Sequence, residues 1–451
     1  MHDLQEKCAV VGLFGVQGAA KLAYLGLYAM QHRGQEATGI SVSDGKKIAT
    51  IKDRGLVSQV YNDAKLAKLQ GENAVGHNRY STAGEDSILD AQPVFARYAL
   101  GEMAIAHNGN FPNGPKVRQQ LIDEGAIFQS SMDTENLIHL IARSKEARLR
   151  NRILDALRQV DGAYSLLFLS RTKLFAARDP QGFRPLSIAK LGDGYMVASE
   201  TCAFDLAGAE YIRDIEPGEM VIFQAGCEPE SIRFAEAKPK HCIFEHVYFA
   251  RPDSFLFGDS VYNIRKELGR MLWREDPVEA DMVIPVPDSS IPHAIGYSQE
   301  SGLPFELGII RNHYVGRTFI EPMQEIRDLK VKKKLSPIKE LIRGKRLVIV
   351  DDSIVRGTTS KKIVQLLRES GAKEVHMRIA SPPVAFPCFY GIDTPHQEEL
   401  IRHRMNVDEM RTYLGADSLS FLSIESLSKA ASSHGQFCLA CFDGNYFHTA
   451  S

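Results

Sequence analysis

Leu347-Val348-Ile349-Val350-Asp351-Asp352-Ser353-Ile354-Val355-Arg356-Gly357-Thr358-Thr359 is the stretch whose reading decides the fold. Four consecutive apolar residues, three of them β-branched, predict a parallel strand covered on both faces. Asp351 and Asp352 stand at its C-terminal end, where open α/β sheets bind ligands. The periodicity of Ser360 to Ser370 predicts a helix with Ile363, Leu366 and Leu367 on one face and Gly371 ending it. Backbone N–H groups of the intervening loop and the positive end of the helix suit a phosphate. Two carboxylates would repel that phosphate; they suit ribose hydroxyls or a bridging Mg²⁺. The residues therefore ask for a phosphorylated sugar with a metal-bound leaving group. A lone Asp-Asp would be a solvated strand end, but the whole run favours the sugar-phosphate site.

Outward from that stretch, Met282 to Ser290 is a second apolar strand ending in an acidic, hydroxyl-bearing turn, and Glu374 to Ala380 adds another strand. Glu325 to Leu335 carries five positive side chains, which fit a solvated helix face and equally a lid over a pyrophosphate. At 451 residues the chain exceeds one typical domain. Its 44% hydrophobic and 24% charged composition is that of a soluble globular protein with material for two cores. A net charge of -2 gives no general attraction to nucleic acid or an anionic membrane. Met1 to Lys7 has no apolar core of a signal peptide and no segment approaches a membrane span, so a cytoplasmic protein is expected. Seven cysteines do not suggest a disulfide framework.

The first half opens on a buried strand, Cys8 to Gly15, followed by a helix from Lys21 to about Met30. An isolated early cysteine is usually a small buried hydrophobe. Removal of Met1 to Lys7 would instead leave Cys8 as the first residue, with its own α-amine as general base for the thiol. That amine titrates near ~7.7–8.0 and the thiol near ~8.5, close enough for proton transfer at neutral pH. Polar, Gly-punctuated segments follow between apolar runs: Gln31-His-Arg-Gly-Gln-Glu-Ala-Thr-Gly39, Gly76-His-Asn-Arg-Tyr-Ser-Thr-Ala-Gly84, Ala106-His-Asn-Gly-Asn110, Ser131-Met-Asp-Thr-Glu135 and Arg178-Asp-Pro-Gln-Gly-Phe-Arg-Pro-Leu186. Composition shifts between Ala225 and Lys240, and the domain boundary is set near residue 232.

Cys8 and these five segments, in this order, resemble class II (N-terminal nucleophile) glutamine amidotransferases over residues 8 to about 230. The 347–359 run resembles the phosphoribosyl pyrophosphate (PRPP) loop of type I phosphoribosyltransferases. Nearly the whole chain resembles the amidophosphoribosyltransferases. That resemblance implies an αββα sandwich joined to a doubly wound parallel sheet. The chain then divides into a leader of residues 1–7, by that family's habit a propeptide that is removed, a glutaminase domain over 8–232 and a phosphoribosyltransferase domain over 233–451. It implies Cys8 as nucleophile, Asn108 and Gly109 as the oxyanion hole, Arg79 on the substrate carboxylate and Asp133 on its ammonium, with Arg33 in a loop beside the pocket. In the second half it implies PRPP on Asp351, Asp352, Ser353, Arg356, Gly357, Thr358 and Thr359, and one Mg²⁺ per subunit on Ser289, Asp351 and Asp352. The His241 to Ser254 segment would lie near the passage between the two sites.

Four cysteines remain: Cys242, Cys388, and the Cys-x-x-Cys pair Cys438 and Cys441. Spacing alone fits a structural zinc or an iron–sulfur cluster. The resemblance points to the iron–sulfur branch and a [4Fe-4S] cluster; Cys202 and Cys227 read as structural. It further implies glutamine and PRPP as substrates, 5-phosphoribosylamine as product in purine synthesis, purine nucleotides as inhibitors and a homotetramer. His313 stands where a basic Arg or Lys is expected, and the tail lacks a proline after Tyr446. Two rivals are a different glutamine-dependent amidotransferase, which would lack the Asp351-Asp352 loop, and a non-catalytic PRPP-binding regulator, which should have lost Cys8, Asn108 or Asp133.

Overall fold

The computed structural model describes residues 5–6, 8–80, 87–312, 335–431 and 436–447. Among these, the first domain is two stacked antiparallel sheets. One orders its strands Glu210–Asp214, Ser187–Leu191, Gly194–Ala198, Cys8–Phe14, Asn73–Arg79, Ala37–Ser43, Ile48–Arg54. The other runs Glu230–Arg233, Glu219–Gln224, Lys173–Arg178, Ala163–Ser170, Gly101–Asn110, Val94–Tyr98. Alternate residues of each strand meet between the sheets, where Val10, Val75, Ala106, Leu167 and Ala176 are buried together. The opposite faces are covered by helices. Ala19–Ala29 and Cys202–Ala207 lie on the first sheet; Thr134–Arg143 and Leu149–Leu157 lie on the second. This is the αββα sandwich.

In the second domain, parallel strands run in the order Met282–Pro285, Arg346–Asp351, Glu374–Ile379, Ser418–Phe421. The central strand alternates between two cores: Val348 and Val350 face one, Leu347 and Ile349 the other. Helices Val261–Glu275 and Ile291–Ser301 cover the first face, and Thr358–Glu369 covers the second. The sheet is therefore wound on both sides. The helix after the Asp-Asp loop begins at Thr358, two residues earlier than its apolar periodicity predicts, because Gly357 turns the chain at φ 78°.

Two features join the halves. Glu230–Arg233 still pairs with Glu219–Ile222, so the chain leaves the first domain's sheet after Arg233. Lys238, Lys240 and Cys242 then donate backbone N–H bonds to Pro180, Gln181 and Phe183 of the first domain. Gln5–Glu6 pairs antiparallel with Ile392–Asp393 of the second domain.

Candidate active site

Cys8 opens a central strand and is buried, in register with Arg79 on the neighbouring strand. Two residues on, the Val10 N–H donates to Ser199 Oγ at 3.0 Å, and Asn108 Nδ2 lies 3.4 Å from the same oxygen. Ser199 thus ties the strand of Cys8 to Asn108 across the two sheets. An amide nitrogen carries two donor hydrogens, so this long contact leaves Asn108 one to give. Its Oδ1 is buried with no partner among the described residues. Gly109 has φ 151°, and a Cβ there would stand 1.9 Å from the Ala163 carbonyl oxygen, so only glycine fits.

Arg79 points Nη2 at Asp90, 3.6 Å away, and Asp90 accepts both the N–H and the hydroxyl of Ser131 at 2.9 and 2.7 Å. Asp133 accepts the Phe111 N–H at 3.0 Å and faces His107 Nδ1 at 3.4 Å. Burial works to raise its carboxyl, but the His107 ring and the N–H groups of Phe111 and Thr134 outweigh it and hold it below the usual range. Cys8, Arg79, Asn108 and Asp133 are therefore gathered at one end of the sandwich. Asp90, His107 and Ser199 were not singled out from sequence. His107 was within reach, since it precedes Asn108 in a quoted segment; Asp90 and Ser199 carry no local signal.

Arg33, at the end of the Gln31–Arg33 turn, is fully buried where the two domains meet. Its guanidinium pairs with Glu200 of its own domain and, at 2.6 Å, with Glu245 of the second. Glu245 also accepts Arg184 Nη2 at 2.6 Å. Glu200 takes the Ser254 hydroxyl at 2.7 Å and the Arg251 N–H at 2.9 Å from the second domain. Burial alone would raise the Glu200 carboxyl, yet Arg33 and His32 hold it well below its ordinary value. Glu245 belongs to the Glu245–Phe249 helical turn inside the segment assigned to the passage. Arg265, buried on the Val261–Glu275 helix, donates to the His246 and Ala250 carbonyls of that segment.

In the second domain, Asp351 and Asp352 are buried at the strand end. Ser289 Oγ donates to Asp352 Oδ2 at 2.6 Å, Ser290 Oγ lies 3.2 Å from Asp351 Oδ1, and Ser353 Oγ donates to Asp352 Oδ1 at 2.8 Å. Two adjacent buried carboxylates ringed by hydroxyls suit a hard cation, so Ser289, Asp351 and Asp352 fit Mg²⁺. Gly357, at φ 78°, takes a backbone conformation that side-chain-bearing residues rarely adopt. Arg356 turns away to Glu399, at 2.8 Å on the half-exposed surface. The basic run from Glu325, together with His313, lies outside the described residues except for Leu335; the tail beyond Phe447 and residues 81–84 also lie outside them.

Cys242 and Cys438 face each other in a short parallel pairing. Cys388 and Cys441 complete a patch in which all four thiols act on one another electrostatically. Burial pushes the Cys438 thiol up to about 12 and those of Cys242 and Cys441 further. Tyr390 N–H donates to Cys388 Sγ at 3.3 Å. Among the described residues no three His, Cys, Asp or Glu groups converge as closely as a single metal ion requires. Four thiols are sulfur donors of the kind zinc or an iron–sulfur cluster takes.

Fold and sites define a glutamine amidotransferase fused to a phosphoribosyltransferase. The glutamine amidotransferase domain family matches residues 77–205 and the phosphoribosyl transferase domain family residues 260–381. The chain is 52% identical over 445 residues to amidophosphoribosyltransferase 1, chloroplastic, of Arabidopsis thaliana, covering 98% of this chain and 79% of that one. To the amidophosphoribosyltransferase of Bacillus subtilis it is 50% identical over 455 residues, covering 99% and 95%. A solved structure of glutamine PRPP amidotransferase from B. subtilis, complexed with ADP and GMP, is similar at a TM-score of 0.94 and 48% identity, covering 98% of both chains. The chain belongs to the amidophosphoribosyltransferase family. It is a pentosyltransferase with glutamine amidotransferase activity, moving the amide nitrogen of glutamine to PRPP in purine biosynthesis. Among the described residues no helix is long and apolar enough to cross a membrane.

Proposed function

We propose that the residues assigned above carry that reaction as follows. Residues 1–7 are removed, and the freed α-amine of Cys8 takes the thiol proton as sulfur attacks the glutamine amide carbon. Asn108 Nδ2 and the Gly109 N–H receive the charge that develops on the carbonyl oxygen. Arg79, steadied by Asp90, binds the substrate carboxylate, and Asp133, steadied by His107, binds its ammonium. Collapse of the tetrahedral adduct breaks the C–N bond; the leaving nitrogen takes a proton and departs as ammonia, and water hydrolyses the thioester to glutamate. The ammonia crosses the interface held by Glu245 and attacks C1 of the ribose, displacing pyrophosphate and losing a proton to give 5-phosphoribosylamine. Ammonia in bulk water is mostly ammonium and cannot attack, so a passage that excludes water keeps it reactive.

Asp351 and Asp352 orient the ribose hydroxyls, and Ser353 to Thr359, including Arg356, Gly357 and Thr358, cradle the 5-phosphate. Mg²⁺ on Ser289, Asp351 and Asp352 would neutralise charge on the departing pyrophosphate. Cys242, Cys388, Cys438 and Cys441 hold a [4Fe-4S] cluster that fastens the C-terminal segment; the reading rests on four mutually close thiols, of which Cys242 and Cys441 are buried, and the N–H bond to Cys388 sulfur. It predicts iron and sulfide that co-purify anaerobically and are lost in Cys441→Ser. The domain division at 232, cytoplasmic location, homotetramer and purine-nucleotide inhibition belong to the same proposal.

One observation supports the channelled reaction above all: a buried carboxylate of the second domain, Glu245, bonds two buried arginines of the first. The test supplies amide-¹⁵N glutamine with PRPP in excess unlabelled ammonium at near-neutral pH. The reading expects ¹⁵N to dominate the phosphoribosylamine formed; product label equal to that of the bulk ammonium pool would overturn it.

A further inference from the structure

Gly109 is held between two backbones. Behind it lies the Ala163 carbonyl of its own domain; before it lies Gly391 of the second domain, whose added Cβ would stand 3.2 Å from Gly109 Cα and 3.4 Å from its carbonyl carbon. The next residue, Asn110, donates Nδ2 to the Phe389 carbonyl at 3.0 Å. Tyr390 stacks on Phe183 of the first domain, with ring centroids 4.2 Å apart and planes within 12°. The turn is itself anchored from behind: Tyr446 OH donates to the Pro387 carbonyl at 2.6 Å, and the Cys388 N–H to Thr394 Oγ1 at 2.8 Å. Gly391 has φ 101°, so glycine alone lets the turn come this close without strain.

We infer that the Cys388–Gly391 turn is a positioning element of the glutaminase, fixing Gly109 at its Cα and carbonyl carbon from the other domain. The inference rests on the reading of Asn108 and Gly109 as oxyanion donors. An oxyanion donor stabilises only if its N–H is already aimed where charge will develop. Gly109 has no side chain to lock its own position; its ladder pairing opposite Tyr164 holds one edge, the Ala163 carbonyl closes the space behind it, and the turn closes the space in front. Docking of the second domain thereby completes the first domain's catalytic apparatus. Gly391 touches no substrate; it acts through Gly109.

The test uses the full, processed chain with PRPP and Mg²⁺. In Gly391→Ala the new methyl must displace Gly109 or the turn by a few tenths of an ångström. Since ~1 Å of misplacement can cost ~10²-fold, kcat with glutamine should fall about 10-fold. KM for glutamine, pyrophosphate release with ammonium, and the rate of Cys8 alkylation by iodoacetamide should each stay within about twofold, because donors to an oxyanion act in the transition state. Should Gly391→Ala fail to accumulate, Tyr390→Leu, which removes the Phe183 stack, decides on the same four readouts. An unchanged glutamine kcat, or equal loss with both nitrogen donors, overturns the inference. Asn108→Ala separates the two levels. If it loses about 10²-fold while the turn variants are silent, only the inference fails; if it is itself silent, the oxyanion reading fails and takes the inference with it.

Discussion

The two reaction sites are built in opposite ways. The PRPP loop is one continuous run: strand end, two carboxylates, hydroxyl-rich turn and helix follow one another from Arg346 to Glu369, with only the Ser289-Ser290 turn coming from elsewhere. The glutaminase site is collected from Cys8, Arg79, Asp90, Asn108, Asp133 and Ser199, and is backed by a turn near residue 391 of the other domain. A parallel sheet presents adjacent loop residues at its edge without further help. A two-sheet sandwich must bring strands from distant parts of the chain to one end before any chemistry exists. The local site should therefore tolerate damage elsewhere, and the assembled one should not.

The largest expected effect would break this comparison if it failed. Cys8→Ala should lose glutamine-dependent pyrophosphate release by at least about 10³-fold while keeping the ammonium-dependent reaction within about twofold. Equal loss of both would mean that the sites are not separable. Next comes the join between them. Glu245→Gln leaves two buried guanidiniums short of a counter-charge, and removing one partner of a buried ion pair costs about 3–5 kcal/mol. The urea midpoint should drop, and the transitions of the two domains, followed separately, should move apart. A midpoint within error of the parent would sink the assignment of Glu245 as the link.

Asp352→Asn should lower pyrophosphate release about 10²-fold with either nitrogen donor. Glutamine hydrolysis without PRPP should change less than twofold, because the damaged site is local. The smallest effect lies in the first domain's core. Burial pushes the His77 imidazole down to about 3. The unfolded chain binds a proton below about 6.5 that the folded chain refuses until far lower pH, so stability is present above that value and drains as pH falls towards 3. Between pH 7.5 and 5 this one group accounts for roughly 2 kcal/mol. His77→Gln, which keeps a donor towards the His107 carbonyl, should lose that much less stability over the same interval in denaturant titrations.

Legibility in the sequence followed the same division. Asp351 and Asp352 were readable because strand, loop and helix are contiguous and apolar periodicity marks both flanks. Cys8 was singled out for a different reason, the order of the polar segments that follow it. Arg33 could be named but not located; it is an interdomain ion-pair residue, since the charges that neutralise it, Glu200 and Glu245, lie over 160 residues away. Asp90 and Ser199 were missed because a carboxylate or hydroxyl that steadies another side chain leaves no mark on local periodicity.

By itself, the order of residues determined both fold classes and marked the Asp351-Asp352 run, Cys8 and the four cysteines as candidates, all of which are written in short-range pattern or spacing. Only the tertiary structure decided that the four thiols meet, that Glu245 closes an ion network across the domains, and that Gly391 rests on Gly109. These contacts join residues far apart in the chain. Whether they form depends on how two independently patterned cores dock, and no local preference of the backbone encodes that.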